Sequence, residues 1–397
     1  MSALGIRQLA ELSQKKSRRI IGLMSGTSLD GLDIALCTVR GSGTETSLTV
    51  DNFVTKPFDT TLTGRILGVF AKRDVDLEAV TLLNESIGLE HGRLVSEALN
   101  EWSVPTSDVD LIASHGQTIY HAPQWMHQHT DLPNATLQLG DGDHIAMATG
   151  ILTISDFRQK HVAAGGEGAP LAAYGDYLLL TEETEDRLLL NIGGIANFTY
   201  LPARNRGEEA FSTDIGPGNT LMDAYVRKHY APLTYDADAK LACAGTVDET
   251  LLSKLMSDAF LSAGFPKTTG PEHFALASIE DTLHKHGPDL SHQDVLATLN
   301  AFSAEAITEA VQRVAGAPSI YLSGGGARNP LFVERLKAAL PGYRIGNTSE
   351  LGIEPDAKEA ILFAVLANEL VAGDPSVFKL ALPSMPAVSM GKISLPR

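Results

Sequence analysis

Ile20-Ile21-Gly22-Leu23-Met24-Ser25-Gly26-Thr27-Ser28-Leu29-Asp30-Gly31-Leu32-Asp33-Ile34-Ala35-Leu36 is an apolar run, a turn of small polar residues, and a second run rich in β-formers. The pattern returns about 170 residues later as Leu188-Leu189-Leu190-Asn191-Ile192-Gly193-Gly194-Ile195-Ala196-Asn197-Phe198-Thr199-Tyr200. A tight hairpin of this composition suits backbone amides that must approach an anion, because no Cβ intrudes and hydroxyls add donors. Two such turns in one chain predict two facing halves that grip a polyphosphate. Phosphoryl transfer is therefore indicated before any catalytic residue is considered.

Outward from these turns, each half reads as three strands followed by alternating helices and strands. The first half has strands near 19–24, 32–40 and 47–56, helices near 60–72 and 76–102, and a strand near 109–114. Further strands fall near 135–139 and 151–155. The second has strands near 188–192, 196–202 and 210–213, helices near 218–229, 248–260 and 292–315, and a strand at 319–322. Helices at 329–340 and 356–371 complete it. This order predicts an α/β fold with mixed sheets covered by helices. The expected division is an N-terminal extension over 1–18, domain I over 19–165 and domain II over 166–397. The Gly/Ala-rich stretch 163–169 serves as hinge, and the C-terminal end is able to pack back on domain I.

Composition narrows the class. The 397 residues suffice for two ordinary domains, and 44% hydrophobic with 20% charged residues is typical of a soluble globular protein. The formal charge is −17, from 31 basic and 48 acidic residues, which disfavours nucleic acid or an anionic membrane as partner. Two cysteines, Cys37 and Cys243, form no disulfide framework and read as buried structural thiols. No apolar run reaches the roughly 18 residues of a membrane span, and the basic N-terminal stretch lacks a signal-peptide core, so the expected location is the cytoplasm.

Five places carry chemistry. Ser25-Gly26-Thr27-Ser28 suits a phosphate, although an ordinary hairpin explains the tetrapeptide equally well. The adjoining Asp30 shifts the balance, being a hard carboxylate placed to meet phosphate-bound Mg²⁺. In Ser212-Thr213-Asp214-Ile215-Gly216-Pro217-Gly218-Asn219-Thr220 a strand is expected to end at Asp214. A helix then opens on Asn219 or Thr220, which suits a carboxylate that takes a proton from water or a hydroxyl. Gly324-Gly325-Gly326 between a strand and a helix admits a nucleotide or simply close packing. Arg158 suits a substrate carboxylate or a salt bridge to Asp156. His115 and Gln117, after a strand end, are placed to meet sugar hydroxyls. His121, His127 and His129 lack the acidic or thiol partners of a metal site.

The segments GLMSGTSLDGLDIAL (22–36), ASHGQTIYHAP (113–123), SDFRQKHVAAGGEGAPL (155–171), LNIGGIANFTYL (190–201), STDIGPGNTLMDAY (212–225) and YLSGGGARNP (321–330) together resemble the anhydro-N-acetylmuramic acid kinases of the sugar kinase/Hsp70/actin superfamily. The likeness runs from about residue 20 to about residue 370. It implies two ribonuclease-H-like, actin-like ATPase domains with a nucleotide cleft between them, and ATP and Mg²⁺ as cofactors. The implied reaction hydrolyses the 1,6-anhydro bond and phosphorylates O6, with Asp214 as general base. It assigns Ser25, Gly26, Thr27, Ser28, Asp30 and Gly31 to phosphate, Gly193, Gly194 and Gly216 to the second phosphate segment, and Gly324, Gly325 and Gly326 to adenosine. His115, Gln117, Arg158, Glu167, Asn219 and Glu359 fall to the substrate, with Asp30 and Glu359 on the metal side. A homodimer is expected. Glu167 and His161 depart from the family's usual glutamine and aspartate, which leaves levoglucosan kinase as an alternative, and a non-catalytic nucleotide-binding protein as another.

Overall fold

The computed structural model describes residues 3–26, 29, 31–127, 129–270, 273–286, 289–316 and 318–397. Among the described residues twelve strands follow in chain order: β1 (Ser17–Ser25), β2 (Leu32–Arg40), β3 (Ser47–Lys56), β4 (Leu111–Ala122), β5 (Ala135–Leu139) and β6 (Thr153–Ser155). After them come β7 (Arg187–Ile192), β8 (Ile195–Leu201), β9 (Phe211–Pro217), β10 (Ser319–Ser323), β11 (Ile345–Asn347) and β12 (Lys392–Ser394). They form two sheets, ordered β12-β6-β4-β1-β2-β3, with β5 paired to β4, and β11-β10-β7-β8-β9.

Both sheets share one plan. The first strand pairs antiparallel with the second and parallel with the fourth (β1 with β2 and β4, β7 with β8 and β10). The third strand lies outside the second, again antiparallel, and β6 and β11 lie parallel to β4 and β10. That is the ribonuclease-H-like order, built twice, and both turn signatures are hairpins as the sequence predicts.

The chain divides into two compact units, Met1–Leu179 with Asp356–Arg397, and Leu180–Pro355. The 163–169 stretch therefore lies inside the first unit, and the whole segment from Asp356 returns to it. The cause is packing. In the helix Ala172–Leu180 the fully buried Tyr174 donates its hydroxyl to the Pro386 carbonyl (2.6 Å), and Asp176 pairs with Lys358 (3.0 Å). The helix Lys358–Ala372, buried from Ala360 through Glu369, covers β1 so closely that a Cβ on Gly22 would sit 1.8 Å from the Ala360 carbonyl oxygen.

Several local readings differ from the sequence. β4 runs through to Ala122, so His115 and Gln117 are strand residues rather than residues beyond its end. β9 likewise continues past Asp214 to Pro217. The helix expected over 248–260 is broken into Glu249–Leu255 and Ala259–Ser262, because Asp258 caps the second piece by accepting the Phe260 amide (2.8 Å). A helix at Ala3–Gln14 occupies the N-terminal extension. Cys37 is buried and its thiol is pushed up to about 12, first by burial and then by Asp51, but Cys243 is exposed.

Candidate functional site

In the second unit three glycine-rich turns meet at one end of the sheet. The amides of Gly218 and Asn219 donate to the Gly194 and Gly193 carbonyls (both 2.8 Å), and Thr220 N–H adds a third bond to Gly194 (3.1 Å). Asn219 occupies the position before the helix Thr220–His229, but its side chain does not cap it. Instead Nδ2 donates to the Ile192 carbonyl (3.3 Å) and ties this turn to the β7–β8 hairpin. The β10 turn joins them at Gly324, where φ is +80° and a Cβ would stand 2.6 Å from Asn191 Oδ1 and 2.7 Å from the Ile192 carbonyl oxygen. Only glycine fits that approach. Gly216, in contrast, faces Leu261 and Ala306 of its own core.

Asp214 lies beside this cluster. Between β8 and β9 the register slips: Asn197 opposes Asp214 and Ala196 opposes Gly216, leaving Ile215 as the extra residue of a bulge. Bulges of this kind re-aim neighbouring side chains. The half-buried carboxylate accepts the Thr269 amide at Oδ2 (2.9 Å). Burial raises its pKa and the Thr269 bond opposes the rise. Asp223, one turn into the helix, is pushed up to about 6 by burial, with Arg227 acting against it.

In the first unit the turn after β1 is braced from β4. Buried Ser25 donates to Gln117 Oε1, and Gln117 Nε2 donates to the Gly26 and Thr118 carbonyls (3.2 Å each). Gly31 lies against the Lys56 carbonyl. Thr27, Ser28 and Asp30 lie outside the described residues.

His115 is buried with both ring nitrogens engaged. Nδ1 bonds the Gly116 carbonyl (2.8 Å), so Nδ1 carries the proton and Nε2 accepts Arg158 Nε–H (2.8 Å). Burial, then the Arg158 charge, hold its pKa well below the ordinary value, so the ring is neutral. Arg158 Nη1 donates to the Gly168 carbonyl (2.6 Å), and the Gly168 amide donates to His161 Nδ1 (2.9 Å). Burial lowers Arg158 to about 10 and Glu359 opposes this. Glu359 and Phe363 stand one turn apart on the helix Lys358–Ala372. Phe363 packs against His115 with tilted rings, centroids 4.8 Å apart. The Glu359 carboxyl is raised by burial, lowered by Arg158 and raised again by Asp33.

The structure thus gathers His115, Gln117, Arg158 and Glu359 in one unit, and Asp214, Asn219, Gly193, Gly194, Gly324, Gly325 and Gly326 in the other. The hydrogen-bonding groups of His115 and Gln117 are spent on Gly116, Arg158 and the turn after β1. Asp156 bonds Lys392 rather than Arg158. Glu167 is half-buried, and no hydrogen bond or ion pair engages its carboxylate among the described residues. His127 accepts the His129 amide at Nδ1 (3.0 Å) and donates from Nε2 to the Pro133 carbonyl (3.1 Å), which leaves it no lone pair for a metal. Thr269 was invisible in the sequence because it contributes only its amide.

The family model described as anhydro-N-acetylmuramic acid kinase matches residues 18–395. The chain is 52% identical to the anhydro-N-acetylmuramic acid kinase of Pseudoalteromonas atlantica over 396 residues, covering 98% of this chain and 99% of that protein. It is 50% identical to the protein of the same name from Pseudoalteromonas translucida, covering 98% of each. Among solved structures it is similar to component A of the (R)-2-hydroxyglutaryl-CoA dehydratase of Acidaminococcus fermentans, at a TM-score of 0.40 and 11% identity. That likeness covers 90% of this chain and 99% of the other. With both sheets and nearly every residue of the chain inside the match, the protein belongs to the anhydro-N-acetylmuramic acid kinase family.

Proposed function

We propose that this chain opens the 1,6-anhydro ring of anhydro-N-acetylmuramic acid and phosphorylates its O6 with ATP, giving N-acetylmuramic acid 6-phosphate for cell-wall recycling. The observation that carries this reading is Asp214: a half-buried carboxylate on a bulged strand, anchored through one oxygen beside three glycine-rich turns. Asp214 takes a proton from water as the water oxygen bonds to C1. The C1–O6 bond breaks, O6 attacks the γ-phosphorus in line, and the bond from that phosphorus to the ADP oxygen breaks. The proton then leaves Asp214 for solvent. The turn at Ser25 and Gly26 takes phosphate in this reading, as do Gly193 and Gly194. Gly324–Gly326 border the adenosine, and Arg158 takes the lactyl carboxylate.

Asp30 and Glu359 are the carboxylates expected on the Mg²⁺ side. Burial raises the Glu359 carboxyl, Arg158 lowers it and Asp33 raises it further, a repulsion that a cation would relieve. Among the described residues no cluster of three His, Cys, Asp or Glu is assembled. When bound, Mg²⁺ supplies charge neutralisation to the β- and γ-phosphates. A cytoplasmic homodimer is part of the same proposal, and light scattering of the purified protein checks the dimer.

The test is ADP release in ¹⁸O-labelled water. Release with anhydro-N-acetylmuramic acid and label at C1 is the expected result. Label in the phosphate contradicts the mechanism. Release with levoglucosan alone transfers the reading to that sugar, a result the uncompensated Glu167 carboxylate would favour. No release with either leaves a nucleotide-binding protein.

A further inference from the structure

Asp214 is held by more than its own strand. The segment from Lys267 to Thr269 runs beside β9 and is bonded to it by four hydrogen bonds, one of them from Thr213 Oγ1 to the Lys267 carbonyl (3.1 Å). Lys267 N–H donates to Thr213 Oγ1 (2.9 Å), Asp214 N–H donates to the Lys267 carbonyl (2.9 Å), and Thr269 N–H donates to Asp214 Oδ2 (2.9 Å). Lys267 is also fixed at its far end, where Nζ donates to the Phe260 and Leu261 carbonyls (2.5 and 2.9 Å). Those carbonyls belong to the short helix Ala259–Ser262, where the Phe260 carbonyl also accepts the Ala263 amide (3.2 Å).

We propose that Lys267 is a positioning residue for the base: its ammonium staples the 267–269 strap to the 260–261 carbonyls, so that the Thr269 amide holds Asp214 Oδ2 and leaves Oδ1 for the proton. This deepens the assignment of Asp214 as base and rests on it. Oδ1 accepts no hydrogen bond among the described residues, which divides the carboxylate into an anchored oxygen and an open one.

The surroundings of Lys267 argue that its charge serves direction rather than packing. Nζ lies 4.3 Å from the Phe260 ring centroid and 5.5 Å from that of Phe265. Burial lowers its pKa to about 8, with Arg313 pushing the same way and Asp258 opposing. The ammonium is half-buried, with two ring faces beside it that favour a cation. What the ammonium adds is a fixed bearing on two carbonyls. Arg313 already holds the rest of the loop, through the Leu261 and Ala263 carbonyls (3.0 and 2.7 Å) and over Phe265 at 4.3 Å. Loss of the Lys267 ammonium therefore removes the strap's tie to the 260–261 carbonyls, while its backbone bonds to β9 and the Arg313 ties of the loop remain.

The full-length enzyme with ATP, Mg²⁺ and anhydro-N-acetylmuramic acid supplies the test. Lys267→Met is expected to lower kcat roughly 10- to 100-fold with KM for ATP within about twofold, while Lys267→Arg restores most of the rate. The acid limb of kcat/KM moves to higher pH in Lys267→Met, because the carboxylate has lost its donor and binds a proton more readily. Thr269→Ala keeps the amide and behaves as wild type, whereas Thr269→Pro removes it and behaves as Lys267→Met. An unmoved acid limb in Lys267→Met, or equal damage from Thr269→Ala and Thr269→Pro, overturns the proposal. If Lys267→Met does not fold, the Thr269 pair decides alone. Asp214→Asn separates the two levels: an active Asp214→Asn enzyme removes the base itself. An inactive one with an unmoved limb in Lys267→Met removes only the positioning.

Discussion

Arg158 can offer an anion only one edge of its guanidinium. Nε is given to His115 and one Nη1 hydrogen to Gly168, so a grip through Nε and Nη2 is closed and a grip through Nη1 and Nη2 remains. Arg158→Ala is therefore expected to raise KM for the lactyl-bearing sugar about 10- to 100-fold, the worth of one or two charged hydrogen bonds, with KM for ATP little changed. Arg158→Lys should fail to rescue, since an ammonium cannot reproduce the fork, and steady-state kinetics with both sugars reads the difference. His91 gives a second prediction. It is fully buried, neither ring nitrogen has a hydrogen-bond partner among the described residues, and burial lowers its pKa to about 4, with Glu90 opposing. The unfolded chain, with a histidine near 6.5, then binds the extra proton between pH 6.5 and 4. Stability is intact above pH 6.5 and falls as pH drops through that window, by about 3 kcal/mol from this group alone. His91→Leu should lose less stability between pH 7.5 and 4.5 in denaturant melts, and an identical loss would refute the assignment. At this scale the sequence was legible where a side chain carries the signal, as at Asp214, the base proposed above. It was silent where a backbone amide acts, as at Thr269, and misleading where polar side chains satisfy each other, as Ser25 does with Gln117.

Elements were legible where hydrophobic period and length agreed. The hairpins β1–β2 and β7–β8 and the helix Leu77–Glu101 fall close to their expected limits. β4 was read short because Ser114-His115-Gly116-Gln117 looks like a polar turn, yet all three side chains there are buried. Partners contributed from other elements, Arg158 for His115 and Ser25 for Gln117, make a polar strand possible, and such partners leave no local mark. The contact of the helix Lys358–Ala372 with β1 is similarly hidden, since its two halves are more than 300 residues apart. It yields a sharp expectation. Gly22→Ala forces a methyl against the Ala360 carbonyl and should cost roughly 2–3 kcal/mol, measured by urea melts, whereas Gly64→Ala, with nothing within 4 Å, should cost nothing or stabilise. Equal melts for the two would show that helix and strand separate more easily than their packing indicates.

For the molecule, the duplicated strand order was readable from the repeated turn alone, but the path of the chain was not. The first unit contains both ends, and the second is one uninterrupted insertion, Leu180–Pro355. A protein ending at Pro355 lacks the helix that covers β1 and the edge strand β12. Hydrogen exchange on it is expected to find β7, β8 and β10 protected and β1, β2 and β4 exchanging rapidly; protection of both sets would contradict a first unit dependent on its last segment. The same connectivity bears on biosynthesis. The inserted unit can finish folding on the ribosome, while the amino-terminal portion waits with the bare face of β1 unclothed. At roughly 5–20 residues per second that interval is about 10 to 35 s. During it a nascent chain offers holdase chaperones an apolar strand to shield, and premature termination near the 3′ end of the message would leave that strand uncovered for good.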